Sequence, residues 1–363
     1  MLEKRLLKLR QKLQEHGIEA LLISHPVNRR YLTGFTGSAG VVLITATEQL
    51  LLTDFRYVIQ VQEQAPHMTL VQHQGAIYHT VGEQCRKLGI KALSFEQDHL
   101  TFAEFLQLKE AVGDIKLQPT SGIVKELRMV KDADELAVMR EAARIADQAF
   151  SKILSDIKPG VRENEISFKL EFYMRELGAT SSSFDMIVAS GKRSALPHGV
   201  ASDKVLELGD LVTLDFGALY QGYASDITRT VMLGRPSEKQ KEIYDIVLEA
   251  CNRTIAALRP GMTGKEADAV ARDYISAHGY GEFFGHSTGH GLGMEVHELP
   301  MLSSRGDMVL QPNMVVTVEP GIYLPEMGGV RIEDDVVITE TGCEALNQSS
   351  KEWIVIEYGN GGK

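Results

Sequence analysis

Cysteine is scarce in this chain: Cys85, Cys251 and Cys343 are the only three among 363 residues. Their number is odd and their spacing matches no thiolate metal site, which argues against a disulfide framework and against a structural zinc. Idle thiols fit a reducing compartment, and a cytoplasmic protein is expected. Basic charge is short as well. Against 49 Asp and Glu stand 38 Lys and Arg, a formal net charge of −11, and no basic stripe is present to meet phosphates. Nucleic acid is therefore not expected as a partner. No apolar run approaches the ~20 residues of a membrane span, so no membrane partner is expected either. The opening MLEKRLLKLRQKLQEHG is charged and helix-periodic, without the apolar centre of a secretory signal. What remains, 44% hydrophobic residues with scattered charge, describes a globular chain long enough for two domains.

The first third reads as an α/β domain. Leu6, Leu9 and Leu13 form a helical stripe ended by Gly17, and IEALLIS is a short buried strand. AGVVLI and QLLLTD read as a hairpin, followed by a helical RYVIQVQEQA stopped at Pro66. MTLVQ, KALSFE and IKLQPT alternate as strands with helix-like stretches at 77–88 and 101–112. Gly34, Gly37 and Gly40 precede a strand instead of opening a helix, which argues against a dinucleotide-binding turn. Residues 1–120 show no cluster of catalytic side-chain types. A long charged helix is expected to begin in SGIVKELRMVKDADE, and the domains are placed at 1–125 and 126–363.

The second domain contains an internal repeat. IKPGVRENEISFKLEFYMRELG aligns with LRPGMTGKEADAVARDYISAHG, so that Pro159 meets Pro260, Gly160 meets Gly261, Glu165 meets Glu266 and Gly178 meets Gly279. Each copy reads as a helix, a Pro-Gly break, a second helix and a glycine stop, followed by a strand pair bearing two carboxylates. Two copies do not make a solenoid. A pseudo-twofold α+β domain with its acidic hairpins facing one site fits better.

Five residues between Leu211 and Glu333 stand out as metal ligands: Asp215, Asp226, His290, Glu319 and Glu333. Four are carboxylates that interrupt the most apolar strands, and buried carboxylates are costly unless paired or bound to a cation. Hard oxygens with one imidazole suit manganese, cobalt, iron or zinc, and two ions sharing carboxylates make a hydrolytic pair. A hairpin centred between Tyr220 and Gln221 would set Asp215 directly opposite Asp226, while Glu319 and Glu333 read as flanking a strand–loop–strand. Arg331 shares strand parity with Glu333 and is expected to orient it, and Thr228 stands in the same relation to Asp226. Tyr323 is a weaker candidate. Asp334 reads as a solvated turn or strand edge. His286, four residues before His290, is either a loop histidine or a further ligand. A phosphate-binding loop built on GHGLG lacks the Lys-Ser or Lys-Thr that would have to follow.

The stretches NRRYLTGFTGS, LPHGV, DFGALYQGYASDITRT, GHSTGHGLGMEVHE, VEPGIY and VRIEDD resemble bacterial Xaa-Pro peptidases. These belong to the pita-bread metallopeptidase superfamily and carry a creatinase-type N-terminal domain. The resemblance covers essentially the whole chain. It implies a pita-bread catalytic domain and hydrolysis of the N-terminal Xaa-Pro bond of a peptide with proline in second position. It implies two divalent ions, manganese first, with cobalt or zinc as alternatives, and a homodimer. By resemblance Asp215 holds one ion, His290 and Glu319 the other, and Asp226 and Glu333 bridge them. His198, His286 and His297 become substrate-side histidines, and Glu319 doubles as a proton shuttle. The compact N-terminal domain leaves a dipeptidase restricted to dipeptides as the alternative. A metal-free creatinase-type hydrolase or a non-catalytic binding protein ranks lower, because all five ligand positions are present.

Overall fold

In the first third of the chain, short apolar strands alternate with amphipathic helices and assemble into a six-stranded mixed sheet. Its order is Thr69–Gln72, Gln49–Thr53, Val41–Thr45, Ala20–Ile23, Ala92–Glu96, Lys116–Thr120 in the computed structural model, which describes residues 2–357. The expected hairpin is the antiparallel pair Val41–Thr45 and Gln49–Thr53. Strand alternation turns Leu22, Leu43 and Leu52 onto one face, where they pack with Val81 and Cys85 of helix Ile77–Lys87 and Leu108 of helix Phe102–Val112. Helix Leu2–Glu15 buries Leu6, Leu9 and Leu13, the stripe its spacing predicts. The chain divides into two units, Met1–Arg128 and Met129–Lys363.

The long charged helix expected to begin in SGIVKELRMVKDADE is Ala133–Ile153, and a short helix, Ile123–Met129, precedes it. Asp132 separates the two. Its side chain accepts from the N–H groups of Asp134 and Glu135, and Glu135 returns a bond to the Asp132 N–H, a capping box that starts a new helix.

The second unit repeats one plan. Helices Ala133–Ile153 and Glu163–Glu176 cover a sheet ordered Val355–Ile356, Ile227–Leu233, Leu211–Phe216, Ile187–Ser190. Helices Glu238–Ala257 and Gly264–Ala277 cover a sheet ordered Glu298–Leu302, Gly289–Gly291, Val315–Val318, Asp334–Ile338, Cys343–Ala345. The aligned glycines adopt matching left-handed conformations, with φ of 91° at Gly160 and 90° at Gly261.

The first acidic hairpin has a different register from the one expected. Gln221 and Gly222 are its two central residues, both with positive φ as a type I′ turn requires, and Asp215 pairs with Thr228. Asp226 therefore lies diagonal to Asp215. The shift is even, so both acids keep the same face. A Cβ at Gly217, the position facing Asp226, would lie 1.7 Å from the Ser225 carbonyl oxygen, so the hairpin closes there only around glycine.

Arg229 ties the two halves together. It is 1% exposed in the middle of an apolar strand, and its guanidinium donates to the carbonyls of Glu333, Ser349 and Ser350 and, at 2.7 Å, to the Asp334 carboxylate. Asp334 is thus not the solvated residue its neighbourhood suggested. It is buried between Arg229 and Lys351. Removing one partner of a buried ion pair strands the other, at about 3–5 kcal/mol. Arg229→Met should lower unfolding stability by about that much in urea titration. The double variant Arg229→Met, Asp334→Leu should recover part of the loss, and a neutral Arg229→Met would show that the guanidinium is dispensable.

Candidate metal centre

The two sheets bring their acidic strand ends to a single cleft of about 390 Å³. Asp215, Asp226, His290, Glu319, Glu333, His198, His286, His297 and Arg331 all line it. Among them Asp226, His290 and Glu333 are drawn tightest, each offering a ligand atom within 4.8 Å of the others. His290 Nε2 also lies 3.3 Å from Glu319 Oε1 and 3.8 Å from Asp226 Oδ2. Asp215 is turned toward Arg331, whose Nη2 donates to its Oδ2 at 2.6 Å.

Each side chain is aimed by its neighbours. Register sets Val318 opposite Asp334 and Gly321 opposite Arg331, so Glu319 and Glu333 face each other where the strands pass from one sheet to the next. Thr317 Oγ1 donates to Glu319 Oε1 at 3.2 Å. Thr228 Oγ1 donates to Glu333 Oε2 at 2.5 Å and accepts from Arg331 Nε at 3.2 Å. Arg331 Nη1 donates to the Tyr323 hydroxyl, which in turn faces His286 Nε2, both at 2.7 Å. One arginine thereby fixes two carboxylates, one directly and one through a threonine, and a histidine through a tyrosine. Asp335, whose partner the sequence did not disclose, accepts the Asp226 N–H at 2.9 Å and so holds the backbone under that ligand.

The electrostatics call for positive charge. Burial pushes the Asp226 carboxyl well above the ordinary carboxylate range, and Glu333 and Asp215 push it further. Glu333 is raised in the same way, by burial and then by Glu319 and Asp215. Glu319 is raised, chiefly by burial. Burial alone would lower Arg331, but Tyr323, Asp215 and Glu319 outweigh it and keep the guanidinium charged. Burial lowers His290, which favours a neutral ring. Its Nδ1 faces the Gly291 carbonyl at 3.1 Å, an acceptor only, so the proton sits on Nδ1 and the bare Nε2 lone pair points at two carboxylates. Asp226 Oδ1 is buried without a hydrogen-bond partner among the described residues. Acceptors aimed at one another, with an orphaned oxygen between them, are the donor set of a divalent cation.

The histidines divide into two kinds. His286 has both ring nitrogens engaged, Nδ1 with the Ser287 carbonyl at 2.8 Å and Nε2 with Tyr323, so it meets a bound molecule only by giving up one of them. Burial lowers its pKa and raises that of Tyr323 to about 12, so the phenol keeps its proton. His198 and His297 are exposed at the cleft, and their rings make no hydrogen bond among the described residues. The His297 ring lies 4.4 Å from that of His290. Burial, then His290, lowers the pKa of His297, leaving a neutral imidazole with one N–H to donate.

Comparison with known proteins agrees with this chemistry. Residues 137–340 match metallopeptidase family M24, and residues 5–130 match the creatinase/prolidase N-terminal domain. An uncharacterized peptidase of Bacillus subtilis, YqhT, is 54% identical over 349 residues, covering 96% of this chain and 99% of that protein. The solved structure of an Xaa-Pro dipeptidase from Bacillus anthracis superposes with a TM-score of 0.96 at 55% identity, covering 98% of this chain and all of that one. An X-Pro aminopeptidase from Thermotoga maritima superposes at 0.89 with 43% identity over 95% of this chain and 99% of its own. The fold is accordingly the pita-bread fold with a separate N-terminal domain; the family implies divalent metal ions, and the acidic cluster is the candidate site for them. The chain belongs to metallopeptidase family M24.

Proposed function

We propose that this chain hydrolyses the peptide bond between an N-terminal residue and a following proline. The observation that carries the reading is the cleft itself. An acidic cluster built for cations lies at its floor, and two histidines with free ring nitrogens, His198 and His297, stand at its open side. The choice of proline is supported by the Xaa-Pro dipeptidase and X-Pro aminopeptidase that the chain resembles. It is supported also by apolar wall residues Phe184, Ile187 and Val200, suited to a ring whose nitrogen has no N–H to satisfy.

Asp215, Asp226, His290, Glu319 and Glu333 would hold two divalent ions, manganese by preference. Bound there, such ions polarise the scissile carbonyl and lower the pKa of water. The chain's own groups supply the rest. Carboxylate charge beside the floor attracts the substrate's amino terminus. His198 and His297 donate hydrogen bonds to the substrate carbonyl as it gains negative charge. Glu319 takes a proton and returns it to the departing proline nitrogen, a role suited to a carboxyl raised by burial. Arg331 keeps Asp215 and Glu333 in place, and the Tyr323–His286 pair closes that side of the cleft. The buried free thiols Cys85 and Cys251 fit a cytoplasmic location, and the family resemblance supports a homodimer. No helix among the described residues is long and apolar enough to cross a membrane.

Chelation should abolish peptidase activity, and manganese or cobalt should restore it; full activity in metal-free protein would refute the reading. Ala-Pro and Met-Pro peptides should be cut and Met-Ala-Ser spared. The relative rates on Ala-Pro and Ala-Pro-Ala-Ala decide between an aminopeptidase and an enzyme restricted to dipeptides, as the name of the Bacillus anthracis relative suggests. His297→Ala should keep its metal content and lose roughly a hundredfold in kcat, the effect of removing one transition-state donor.

Metal should also act on stability, with a definite sign. The folded pKa values of Asp226 and Glu333 lie above the ordinary range, so the stability they give metal-free protein is full below that range. It is lost as pH rises through the folded values. Saturating manganese should raise Tm by about 5–10 °C at about pH 8, and by less at about pH 5, where the same acids bind protons instead. A thermal shift independent of pH would show that these carboxylates do not hold the ion.

A further inference from the structure

Glu163, the first residue of helix Glu163–Glu176, is 0% exposed, yet its hydrogen bonds lead away from its own helix. Oε1 accepts from the Ser190 N–H and the Ser190 hydroxyl, both at 2.8 Å. Oε2 accepts from the Ser202 hydroxyl at 2.7 Å, from the Ser202 N–H at 3.2 Å and from the Arg193 guanidinium. Ser190 and Ser202 bracket a single loop, and His198 lies inside it. The backbone repeats the tie, with Glu163 N–H donating to the Lys204 carbonyl and Asn164 N–H to the Ser202 carbonyl, each at 3.0 Å. Arg193 extends the clamp to the Val200 carbonyl at 2.9 Å, two residues past His198.

Within the loop the other ties are few: Ser194 Oγ accepts the Gly329 N–H at 2.8 Å, and Val200 bridges Ile187. Leu196 and Val200 are 52% and 51% exposed, and the turn closes through Gly199 N–H to the Leu196 carbonyl at 3.0 Å. A buried carboxylate that satisfies five donors is costly to disturb, because Glu163 itself and the buried Ser190 would lose partners that bulk water cannot replace. Glu163 therefore holds both ends of the loop that carries His198 to the cleft, from a position that does not line the cleft.

We propose that Glu163 is a positioning residue: by clamping Ser190, Arg193 and Ser202 it holds His198 at the cleft, and its effect on the reaction runs through that histidine. The inference rests on His198 acting on the substrate, as argued under Proposed function. Glu163→Gln keeps the volume but turns an N–H₂ group toward donors, opening one arm of the clamp. In manganese-loaded protein with Ala-Pro as substrate, Glu163→Gln should lower kcat about as far as His198→Ala, roughly a hundredfold, with bound manganese unchanged. The double variant should fall no further than His198→Ala within about twofold, since both act on one unit. Amide exchange at Ser190 and Ser202 should quicken in Glu163→Gln, while strands Leu211–Phe216 and Ile227–Leu233 keep their protection. Should Glu163→Gln fail to fold, Ser202→Ala removes one bond of the clamp. It should cost severalfold in kcat in the wild-type background and nothing in His198→Ala. Losses that multiply in the double variant, or a fall in bound manganese, would overturn the proposal. Wild-type kcat in Glu163→Gln beside an impaired His198→Ala would overturn it alone, whereas wild-type kcat in His198→Ala would remove the role of His198 and with it both readings.

Discussion

Mutual repulsion among buried carboxylates is the constraint around which the catalytic unit is built. Two unit charges 4 Å apart repel by about 4 kcal/mol at an effective dielectric of 20, and a whole domain is stable by only about 5–15 kcal/mol. Asp226 and Glu333 line a common cleft with Asp215 and Glu319, so the chain cannot keep all four ionised there without a counter-charge. Arg331 supplies one positive charge and binds Asp215 with it. The remainder is left for divalent ions. An orphaned Asp226 oxygen and an imidazole lone pair facing acids are what a cation-binding site offers, and what a protein without such a site would avoid.

Much of this is legible in the sequence because strand parity is a strong rule. Asp215 and Asp226 could be assigned to one face without knowing the turn, since a register error of two residues changes which side chain stands opposite but not which face it occupies. The repeat was visible because Gly160 and Gly261 must both adopt positive φ, which constrains the residue type at equivalent places. Parity put Arg331 and Thr228 on the face of the acids but not against the acids expected: Arg331 binds Asp215 in place of Glu333, and Thr228 binds Glu333 in place of Asp226. Short apolar runs mark three strands of the N-terminal sheet, ALLI, VVLIT and QLLLT, whereas TLVQ, ALSFE and KLQPT are legible by their alternation with helices.

Long-range polar partnerships stay hidden. Asp334 looked like a strand edge because its charge partners, Arg229 and Lys351, lie elsewhere in the sequence. The clue was on the partner's side: Arg229 lies in ITRTVML, a strand buried along its whole length, and a charge in such a place needs an acid beside it. The break before Ala133 had a local signature that the run of charges obscured, an Asp followed three residues later by Glu. Glu163 had none. The carboxylate that opens a helix is common for electrostatic reasons, and only the fold reveals that this one faces a loop instead of solvent.

The two halves are alike in plan but not in how they hold their acids, and the difference ties the acidic site to both halves. Asp215 sits within an unbroken ladder between Leu211–Phe216 and Ile227–Leu233. Glu319 and Glu333 sit at a break, where one strand pair ends at Val318 and Asp334 and another begins at Gly321 and Arg331. A break frees backbone donors that burial does not forgive. Glu319 N–H finds the Thr288 carbonyl of its own half at 2.8 Å, whereas Glu333 N–H finds the Thr228 carbonyl of the other half at 3.1 Å. Glu333 thus belongs to the second half by sequence and to the first by hydrogen bonding, since Thr228 also holds its carboxylate and Arg229 its carbonyl. The interruption that turns an acid toward the cleft is the same one that carries hydrogen bonds from one half to the other.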